Sequence, residues 1–325
     1  MKIYVTDYDY PSLDIERSEI QKINAQFIPT QSHTAEEVIA NCRDADALLN
    51  QYTIITNEVM EKLTRLKVIC RYGVGIDSID IEAASAHGIC VVNVPDYCID
   101  EVSNHAIALI MTCWRKIAYL NTCIRSGIWD YTVARPLHRF RGCKLGIVGF
   151  GKIGREVARK MQPFGLKIMA YDPYFDAGDM TNMGVTSVPF FWLLREADII
   201  SVHTPLTEET FHLFNEETFT AMKETAIFIN TSRGAVVEEV ALVHALQQKK
   251  IAAAAIDVLE QEPINQGNPL AAMDNVVLTP HFSWYSEESE KELKHKVAMG
   301  ACEVLLGKIP TYLVNRNVLE NISLR

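Results

Sequence analysis

The stretch KLGIVGFGKIG, residues 144–154, indicates how this chain folds. Its first residues have the apolar character of a buried strand, and the segment KIGREVARKM has the spacing of a helix. Between them, Gly149, Gly151 and Gly154 have the G-x-G-x-x-G spacing. Alone this pattern is often no more than turn glycines, but a preceding strand and a following helix are the context in which it holds a dinucleotide. We expect Gly149 to permit the tight turn, Gly151 to let the backbone approach a pyrophosphate, and Gly154 to allow close helix–strand packing.

Apolar runs on both sides of this stretch predict two parallel sheets. From residue 144 onward, six runs match a doubly wound nucleotide-binding sheet: KLGIVG, LKIMAY, DIISVH, AIFIN, IAAAAIDV and NVVLTP. Earlier runs alternate with amphipathic segments in the same way: KIYV, AQFI, DALLN, KVICRYG and CVVNV. Because 325 residues also exceed one ordinary core, the predicted fold class is α/β with two doubly wound parallel-sheet domains.

Several helices can be placed from residue spacing. Thr34 and Glu37 have the spacing of a capping box at a helix start. Segment 100–125 has apolar residues at intervals of three and four, which predicts one long helix ending near Gly127. Its apolar stripe is wide, so we expect deep burial or a subunit contact. A last amphipathic helix is predicted over 286–306.

Charge and composition narrow the ligands and the compartment. Lys and Arg number 31 against 41 Asp and Glu, and this net charge of −10 disfavours nucleic acid as a partner. No apolar run has the length of a membrane helix, and MKIYVTDYDY lacks a signal-peptide pattern, so we expect a cytoplasmic protein with no membrane partner. The eight cysteines include no C-x-x-C pair. We expect reduced core cysteines and no metal, with a metal cluster or a disulfide framework as the alternatives.

Asp172 bears on which dinucleotide is bound. It directly follows the run LKIMAY in the context AYDPY, one strand after the Gly-rich turn. A carboxylate there accepts hydrogen bonds from the adenosine ribose hydroxyls and repels a 2′-phosphate. No arginine follows immediately, so we expect NAD rather than NADP. The alternative is that Asp172 is a turn residue before Pro173.

Four groups that can do chemistry follow three later apolar runs. Arg233 comes after AIFIN, Asp257 and Glu262 come within and after IAAAAIDV, and His281 comes after NVVLTP. Singly, each has an ordinary explanation as a surface cation, a turn residue or a core histidine. Ligands of open parallel sheets bind beyond the carboxyl ends of the strands. We therefore expect all four groups at the edge where the Gly-rich turn lies.

GFGKIG, NTSRGAVV, AAIDVLEQEP and LTPH, in this order, resemble the D-2-hydroxyacid dehydrogenase family, and so does RYGVGIDSIDIEAA nearer the N-terminus. NVPDYCIDEVSNHA and PHFSWYSEES are similar to its C-terminal-binding-protein-like branch. The resemblance implies a flavodoxin-like substrate domain, residues 1–99 and 286–325, and an inserted NAD-binding Rossmann domain, residues 100–285. It also implies a homodimer through the helix at 100–125.

The resemblance implies hydride transfer between NAD(H) and a small 2-oxo or 2-hydroxy acid of D configuration. His281 would be the general acid and base, and Glu262 would orient and charge its ring. Arg233 would bind the substrate carboxylate through its two-donor fork. Asp257 would accept from the nicotinamide carboxamide.

Further residues are implied to bind the cofactor or the substrate. Besides Gly149, Gly151, Gly154, Asp172 and Asp257, the cofactor set contains Lys152, Ile153, His203, Thr204, Pro205, Thr210, Thr231 and Ser232. The substrate set is Arg71, Tyr72, Gly73, Val74, Gly75 and Trp284. The segment RYGVG has a simple strand-to-helix turn as its alternative, and Trp284 has a core tryptophan as its alternative.

Two other functions fit the sequence. An NAD-responsive, corepressor-like binding protein would keep the fold, although Arg233, Glu262 and His281 favour an enzyme. A phosphoglycerate dehydrogenase needs cations near its substrate, which the loop ARPLHRFRG, residues 134–142, could supply. The sequence leaves open which acid is used and in which direction the reaction runs.

Overall fold

The computed structural model describes all 325 residues, Met1–Arg325. The chain forms two compact units, which we call unit 1 (Met1–Cys98 with Ser286–Arg325) and unit 2 (Ile99–Tyr285). The first predicted boundary, after residue 99, differs by one residue because Ile99 already begins a helix of unit 2. No helix combines the length and apolar character needed to cross a bilayer.

Unit 1 contains a five-stranded parallel sheet with helices around it. Its strands are β1 (Lys2–Val5), β2 (Gln26–Pro29), β3 (Ala47–Asn50), β4 (Val68–Arg71) and β5 (Cys90–Val92). Its helices are α1 (Asp14–Gln21), α2 (Ala35–Asn41), α3 (Asn57–Lys62), α4 (Ile81–Ala86) and α12 (Glu287–Leu305). The strand order β2-β1-β3-β4-β5 is the flavodoxin-like order, as predicted.

The helix starts of unit 1 follow the sequence signals. Thr34 caps α2 through the predicted capping box with Glu37. Ser286 caps α12, which ends at Leu305 and therefore occupies the predicted segment. A buried face that includes Leu293 packs α12 against α1 and β4. The C-terminal helix thereby belongs to the same core as the N-terminal strands.

Unit 2 contains a seven-stranded parallel sheet of Rossmann type. Its strands are β6 (Lys144–Val148), β7 (Lys167–Tyr171), β8 (Thr186–Ser187), β9 (Ile199–Val202), β10 (Ile227–Asn230), β11 (Ala253–Ile256) and β12 (Val276–Leu278). Its helices are α5 (Ile99–Trp114), α6 (Ile117–Arg125), α7 (Lys152–Met161), α8 (Ala177–Asn182), α9 (Phe190–Glu196), α10 (Glu216–Thr220) and α11 (Glu239–Gln247). The strand order is β12-β11-β10-β9-β6-β7-β8.

Strand β6 lies at the topological switch point of unit 2, since β7 and β9 pair with it on opposite sides. All pairings in this sheet are parallel, so the carboxyl ends of its strands lie at one edge. The six predicted runs are all strands. The short edge strand β8 was not predicted, because its Thr-Ser sequence is polar and exposed.

The prediction of one long helix over 100–125 is wrong. Helix α5 ends at Trp114, and Lys116 has φ +50° before α6 begins. A left-handed residue breaks the helix, while the apolar spacing continues across the break. Helix α5 is buried and packs against α7, β10 and β11, whereas Ile117 and Ile124 of α6 are exposed.

The cysteines are unpaired in the structure. All eight are free thiols, and only Cys143 is partly exposed. No group of three or more His, Cys, Asp or Glu side chains is arranged to hold a metal ion. The cysteine thiols therefore act as small apolar side chains in the cores of the two units.

Candidate active site

The Gly-rich turn follows β6 and begins α7. Gly149 has φ +90°, and a Cβ there would lie 2.6 Å from the carbonyl oxygen of His203, so only glycine fits. A Cβ on Gly154 would lie 2.2 Å from the carbonyl oxygen of Gly149. No heavy atom lies within 4 Å of a Cβ built on Gly151. These contacts support the predicted turn, the close helix packing and the open approach for a pyrophosphate.

The start of α7 provides backbone donors for an anion. Gly151 is the N-cap residue, and no side chain caps the helix. The first N–H groups of an α-helix have no intrahelical acceptor, and the helix dipole favours negative charge there. The N–H groups of Lys152 and Ile153 therefore fit the phosphates of a dinucleotide.

Asp172 follows β7 beside the Gly-rich turn. Its Oδ2 accepts from the N–H of Phe150 at 2.7 Å, and its Oδ1 accepts from the N–H of Tyr174 at 2.9 Å. These two bonds fix the carboxylate and leave lone pairs on both oxygens. The geometry therefore suits acceptance from ribose hydroxyls, while the negative charge repels a 2′-phosphate.

Two buried threonine hydroxyls at this edge have no hydrogen-bond partner. Thr204 follows β9 and Thr231 follows β10, and the Oγ1 of each is buried and unsatisfied. Leaving such a group unpaired costs about 1–3 kcal/mol, so a polar ligand here would stabilise the site. The hydroxyls of Ser232 and Thr210 do have acceptors. Ser232 donates to the carbonyl oxygen of Val202, and Thr210 donates to that of Pro205.

His203 directly follows β9 and lies against the Gly-rich turn. Its Nε2 is 2.9 Å from the Oγ of Ser201. Burial lowers the pKa of His203 to about 4, so this ring is neutral at neutral pH. His203 thus contributes packing and a main-chain contact to the turn rather than a charge.

The Arg233 loop follows β10 and is held from two sides. Asn230, buried at the strand end, donates from Nδ2 to the carbonyl oxygen of Arg233 at 2.9 Å. A Cβ on Gly234 would lie 1.9 Å from the carbonyl oxygen of Leu259, so this loop contacts the one that carries Glu262. Sequence reasoning missed Asn230 and Gly234. Their signal was a polar residue ending an apolar run and a glycine directly after the arginine.

Glu262 and His281 form a hydrogen-bonded pair. Nδ1 of His281 lies 2.7 Å from Oε2 of Glu262. Burial opposes ionisation of Glu262, but the hydrogen bond and charge of His281 and the N–H of Leu259 outweigh it. The pKa of this carboxyl therefore lies below its ordinary value. His281 has φ +52°, a conformation uncommon outside glycine, and its side chain is 35% exposed. Nε2 is the ring nitrogen left for proton exchange.

Asp257 anchors the segment that carries His281. Its Oδ1 accepts from the hydroxyl of Thr279 at 2.5 Å and from the N–H of Phe282 at 2.9 Å, and its Oδ2 accepts from the N–H of Ser283 at 3.1 Å. Asp257 and Thr279 directly follow Ile256 and Leu278, the last paired residues of β11 and β12. The side chain has no exposed surface. This geometry supports a role in holding His281, and the predicted contact with a carboxamide stays a prediction.

In unit 1, the segment after β4 presents backbone donors. Gly73 has φ +136°, and a Cβ there would lie 1.6 Å from Nη1 of Arg71, so the guanidinium packs against Gly73. The N–H groups of Val74 and Gly75 make no backbone–backbone hydrogen bond. Two free N–H groups beside a guanidinium suit a carboxylate.

The side chain of Tyr72 has a different place from that predicted. It is buried, and its hydroxyl donates to Oε1 of Glu16 at 3.0 Å. The ring therefore packs in the interior rather than presenting a surface to a ligand. Sequence reasoning missed Glu16, because nothing in α1 signals a contact with a residue so far along the chain.

Trp284 lies three residues after His281 in an aromatic cluster. Its ring packs edge-to-face on Tyr285 with centroids 5.6 Å apart, and Tyr285 contacts Phe282 at 5.6 Å. Trp284 is partly buried, whereas Phe282 is 46% exposed. The predicted place of Trp284 in the substrate pocket stays a prediction.

The basic loop 134–142 does not lie at the edge that carries His281. Its residues Pro136 and His138 line a cavity of about 710 Å³ together with Ala252 and Asn275, which precede β11 and β12. The amino ends of parallel strands lie at the sheet edge opposite their carboxyl ends. The expectation that this loop supplies cations to a phosphorylated substrate is therefore not supported within unit 2.

The strand ends of unit 2 thus combine a dinucleotide site with a hydrogen-bonded imidazole and carboxylate, which defines the class of a nicotinamide-dependent dehydrogenase. Residues 107–283 match the family model described as D-isomer specific 2-hydroxyacid dehydrogenase, NAD binding domain. The chain is 42% identical over 294 residues to a glyoxylate reductase of Thermofilum pendens, covering 88% of this chain and 86% of that protein.

Two further relatives differ in how much they share. A D-3-phosphoglycerate dehydrogenase of Methanocaldococcus jannaschii is 39% identical, over 87% of this chain but 54% of that protein. The crystal structure of a D-lactate dehydrogenase from Aquifex aeolicus, complexed with NAD and lactic acid, superimposes with a TM-score of 0.87. It is 27% identical, over 97% of this chain and 99% of the other.

The chain belongs to the D-isomer-specific 2-hydroxyacid dehydrogenase family. It is an NAD-dependent oxidoreductase of hydroxy acids, and the Gly-rich turn and Asp172 fit the dinucleotide. The predicted likeness to the C-terminal-binding-protein-like branch stays a prediction.

Proposed function

We propose that the protein reduces a small 2-oxo acid to the D-2-hydroxy acid with NADH, with His281 as the proton donor. The observation that carries this proposal is the 2.7 Å contact between His281 and Glu262, beside the Arg233 loop. When bound, NADH supplies the hydride that reduces the carbonyl carbon. The remaining steps fall to side chains of this chain.

His281 provides the proton at the carbonyl oxygen. Glu262 occupies Nδ1, so Nε2 carries the proton that the oxygen needs as it gains negative charge. The carboxylate also fixes the plane of the ring. In the reverse direction, the neutral ring accepts the hydroxyl proton through the same nitrogen.

Arg233 binds the substrate carboxylate and polarises the carbonyl. Its planar guanidinium offers two parallel donors, which a lysine ammonium does not. Asn230 and Gly234 fix the backbone on both sides of it, so the guanidinium starts from a defined position. In the proposal, Arg71 and the N–H groups of Val74 and Gly75 in unit 1 donate to a substrate carboxylate.

A panel of 2-oxo acids tests the proposal. NADH oxidation would be followed with glyoxylate, pyruvate, hydroxypyruvate, and branched and thioether 2-oxo acids, with NADPH in parallel. We expect turnover of at least one acid and preference for NADH. Absence of turnover with every acid would favour the corepressor-like binding role and contradict the proposal.

Phosphoglycerate oxidation is the second candidate, because relatives of that name match most of this chain. Those relatives are longer, and the chain covers 54% of each. Adding phosphohydroxypyruvate to the panel separates the two. A preference for the phosphorylated acid over hydroxypyruvate would select this candidate. The cations that bind the phosphate would then be residues other than those of the loop 134–142.

The pocket role of Trp284 is part of the proposal. The neighbouring exposed ring of Phe282 supports an aromatic surface beside His281. Trp284→Ala should change the ranking of the 2-oxo acids, whereas Trp192→Ala, at an exposed tryptophan of α9, should leave it unchanged. An unchanged ranking in the Trp284 variant would restrict that residue to packing.

We further propose a homodimer whose contact is centred on α6 rather than α5. Large apolar side chains are exposed on α6 and the segment after it: Ile117, Ile124, Ile128, Trp129, Tyr131 and Leu137. Apolar patches of this kind mark protein contacts. Light scattering should give a dimer for the native chain and a monomer for Trp129→Glu. A native monomer would contradict this part.

A cytoplasmic location completes the proposal. The eight unpaired thiols suit a reducing compartment, and NAD(H) is available there. Fractionation of expressing cells tests it, with the protein expected in the cytoplasmic fraction.

A further inference from the structure

A buried charged cluster lies under the segment 72–75 of unit 1. Glu16 of α1 has no exposed surface, and Tyr72 and Lys294 of α12 are each 3% exposed. Burying a carboxylate and an ammonium is costly, and apolar replacements of such pairs are often neutral or stabilising. Stability alone therefore does not explain why these groups are here.

Within the cluster, Glu16 is hydrogen-bonded to Tyr72 and not to Lys294. The Tyr72 hydroxyl donates to Oε1 of Glu16 at 3.0 Å. Oε2 of Glu16 has no hydrogen-bond partner and lies 4.0 Å from Nζ of Lys294, which itself donates to the carbonyl oxygen of Ser12. Tyr72 is thus the side-chain donor to this carboxylate, while Lys294, which also lies 3.5 Å from Oε1 of Glu290, provides a positive charge nearby.

An aromatic contact closes the cluster on its other side. Nζ of Lys294 lies 4.9 Å from the ring centroid of Tyr10, and that ring packs on Tyr72 with centroids 5.3 Å apart. The Tyr72 ring is therefore held at its hydroxyl and along its face. Burial, the nearby charge of Glu16 and the hydrogen bond to it all raise the pKa of Tyr72, so its hydroxyl stays a donor.

The fixed ring sets the start of the donor segment. Tyr72 is followed directly by Gly73, whose φ of +136° turns the chain and whose carbonyl oxygen accepts from the N–H of Val94 at 2.9 Å. The N–H groups of Val74 and Gly75 come next. A shift of Tyr72 would therefore be passed to these two donors through one residue.

We infer that Tyr72, Glu16 and Lys294 form a positioning network that holds the N–H groups of Val74 and Gly75 for the substrate carboxylate. This inference rests on the proposed function for the identity of that substrate. The network acts through the backbone, and none of its three side chains contacts the reacting atoms. Its loss therefore weakens acid binding and leaves the proton transfer at His281 intact.

Tyr72→Phe tests the network with the loss of one hydroxyl. The KM for the best 2-oxo acid should rise by about five- to tenfold, the factor that corresponds to the typical net contribution of one intramolecular hydrogen bond. The kcat and the Kd for NADH should stay within about twofold of wild type, because His281 and the cofactor site are unchanged. An unchanged KM overturns the inference.

Two glutamate variants extend the test. Glu16→Gln keeps an oxygen for the Tyr72 hydroxyl but removes its charge, so KM should rise by less than in Tyr72→Phe while the melting temperature falls. Glu19→Gln removes a contact of 3.2 Å with His295 that joins the same two helices without touching Tyr72. Its KM should equal that of wild type, and a rise matching that of Tyr72→Phe overturns the inference.

Calorimetry with oxamate, in the presence of NADH, separates this inference from the proposed function. Wild-type protein that binds oxamate but reduces no 2-oxo acid would end the proposed function, and the oxamate Kd of Tyr72→Phe would still decide the network. Wild-type protein that binds no oxamate overturns the inference as well.

Discussion

The carboxyl edges of the two sheets differ in the groups that they present. In unit 2, strand ends carry ionisable side chains on loops, and the His281–Glu262 pair is partly exposed. In unit 1, the segment after β4 presents backbone N–H groups over a buried ion pair. Side chains that exchange protons need access, whereas backbone donors need only a fixed position. The ionisable side chains therefore suit proton exchange at the edge of unit 2, and the backbone donors suit the holding of an anion at the edge of unit 1.

The largest effect should come from His281→Asn, which removes the proton donor from the edge of unit 2. We expect kcat to fall by about 10²–10⁴-fold, the typical contribution of general acid catalysis, while the Kd for NADH stays nearly unchanged. Stopped-flow reduction of the best 2-oxo acid measures it. His244→Asn, at an exposed histidine of α11, is the control and should keep full activity. Retained kcat in the His281 variant would remove chemistry from this edge.

Gly73→Ala, at the edge of unit 1, should raise KM and leave kcat little changed, whereas His281→Asn should lower kcat. The new Cβ would meet Arg71 at 1.6 Å with φ at +136°, so guanidinium and backbone must both move. We expect the KM for the acid to rise about tenfold or more with kcat little changed, since such strain costs about 1–3 kcal/mol.

Gly88→Ala is the matched control for Gly73→Ala, because Gly88 also lies in unit 1 with φ +69°. Its stability should fall while its KM stays that of wild type. If both variants change kcat and KM alike, the division between anchoring and chemistry is not supported.

Asp172→Ala should change cofactor choice and leave both edges otherwise intact. The variant loses the acceptor for the ribose hydroxyls and the charge that repels a 2′-phosphate. We expect the KM for NADH to rise about tenfold, as for the loss of about 1.4 kcal/mol, and the preference over NADPH to shrink. Asp179→Ala, at an exposed aspartate of α8, should leave the cofactor ratio unchanged. An unaltered ratio in the Asp172 variant would contradict its assigned role.

The last prediction concerns the stability of the fold and no kinetic constant, and it depends on His203. The unfolded chain binds a proton at the ordinary pKa of 6.5, whereas burial lowers the pKa in the folded protein to about 4. Between these two pH values the unfolded state therefore binds more protons than the folded state. The contribution of His203 to the free energy of unfolding is fully present above pH 6.5 and is lost as the pH falls toward 4. His203→Asn should abolish about 2–3 kcal/mol of this loss in urea unfolding. Equal pH profiles for both proteins would show that His203 does not titrate in this way.

The strands were predictable because parallel strands buried on both faces are short apolar runs. For the same reason the groups after each run could be assigned to one edge of the sheet. Strand β8 was not predicted, because its two polar residues form no apolar run. The break before α6 was not predicted, because one left-handed residue, Lys116, leaves the apolar spacing of segment 100–125 unaltered.

Contacts between distant parts of the chain were beyond the reach of sequence patterns. Tyr72 was expected to line the substrate site, but the Tyr72 hydroxyl donates to Glu16 of α1, which lies far away in the sequence. The basic loop 134–142 was considered as a source of cations, yet it lies at the amino ends of β11 and β12. Both outcomes depend on tertiary packing, which local spacing does not encode.

The configuration of the product tests the central claim most directly. The protein would be incubated with NADH and a 2-oxo acid whose product is chiral, such as pyruvate or hydroxypyruvate, and the product separated on a chiral column. We expect the D-2-hydroxy acid alone, formed by wild type and nearly absent with His281→Asn. An L product, or equal formation by the two proteins, would contradict the account.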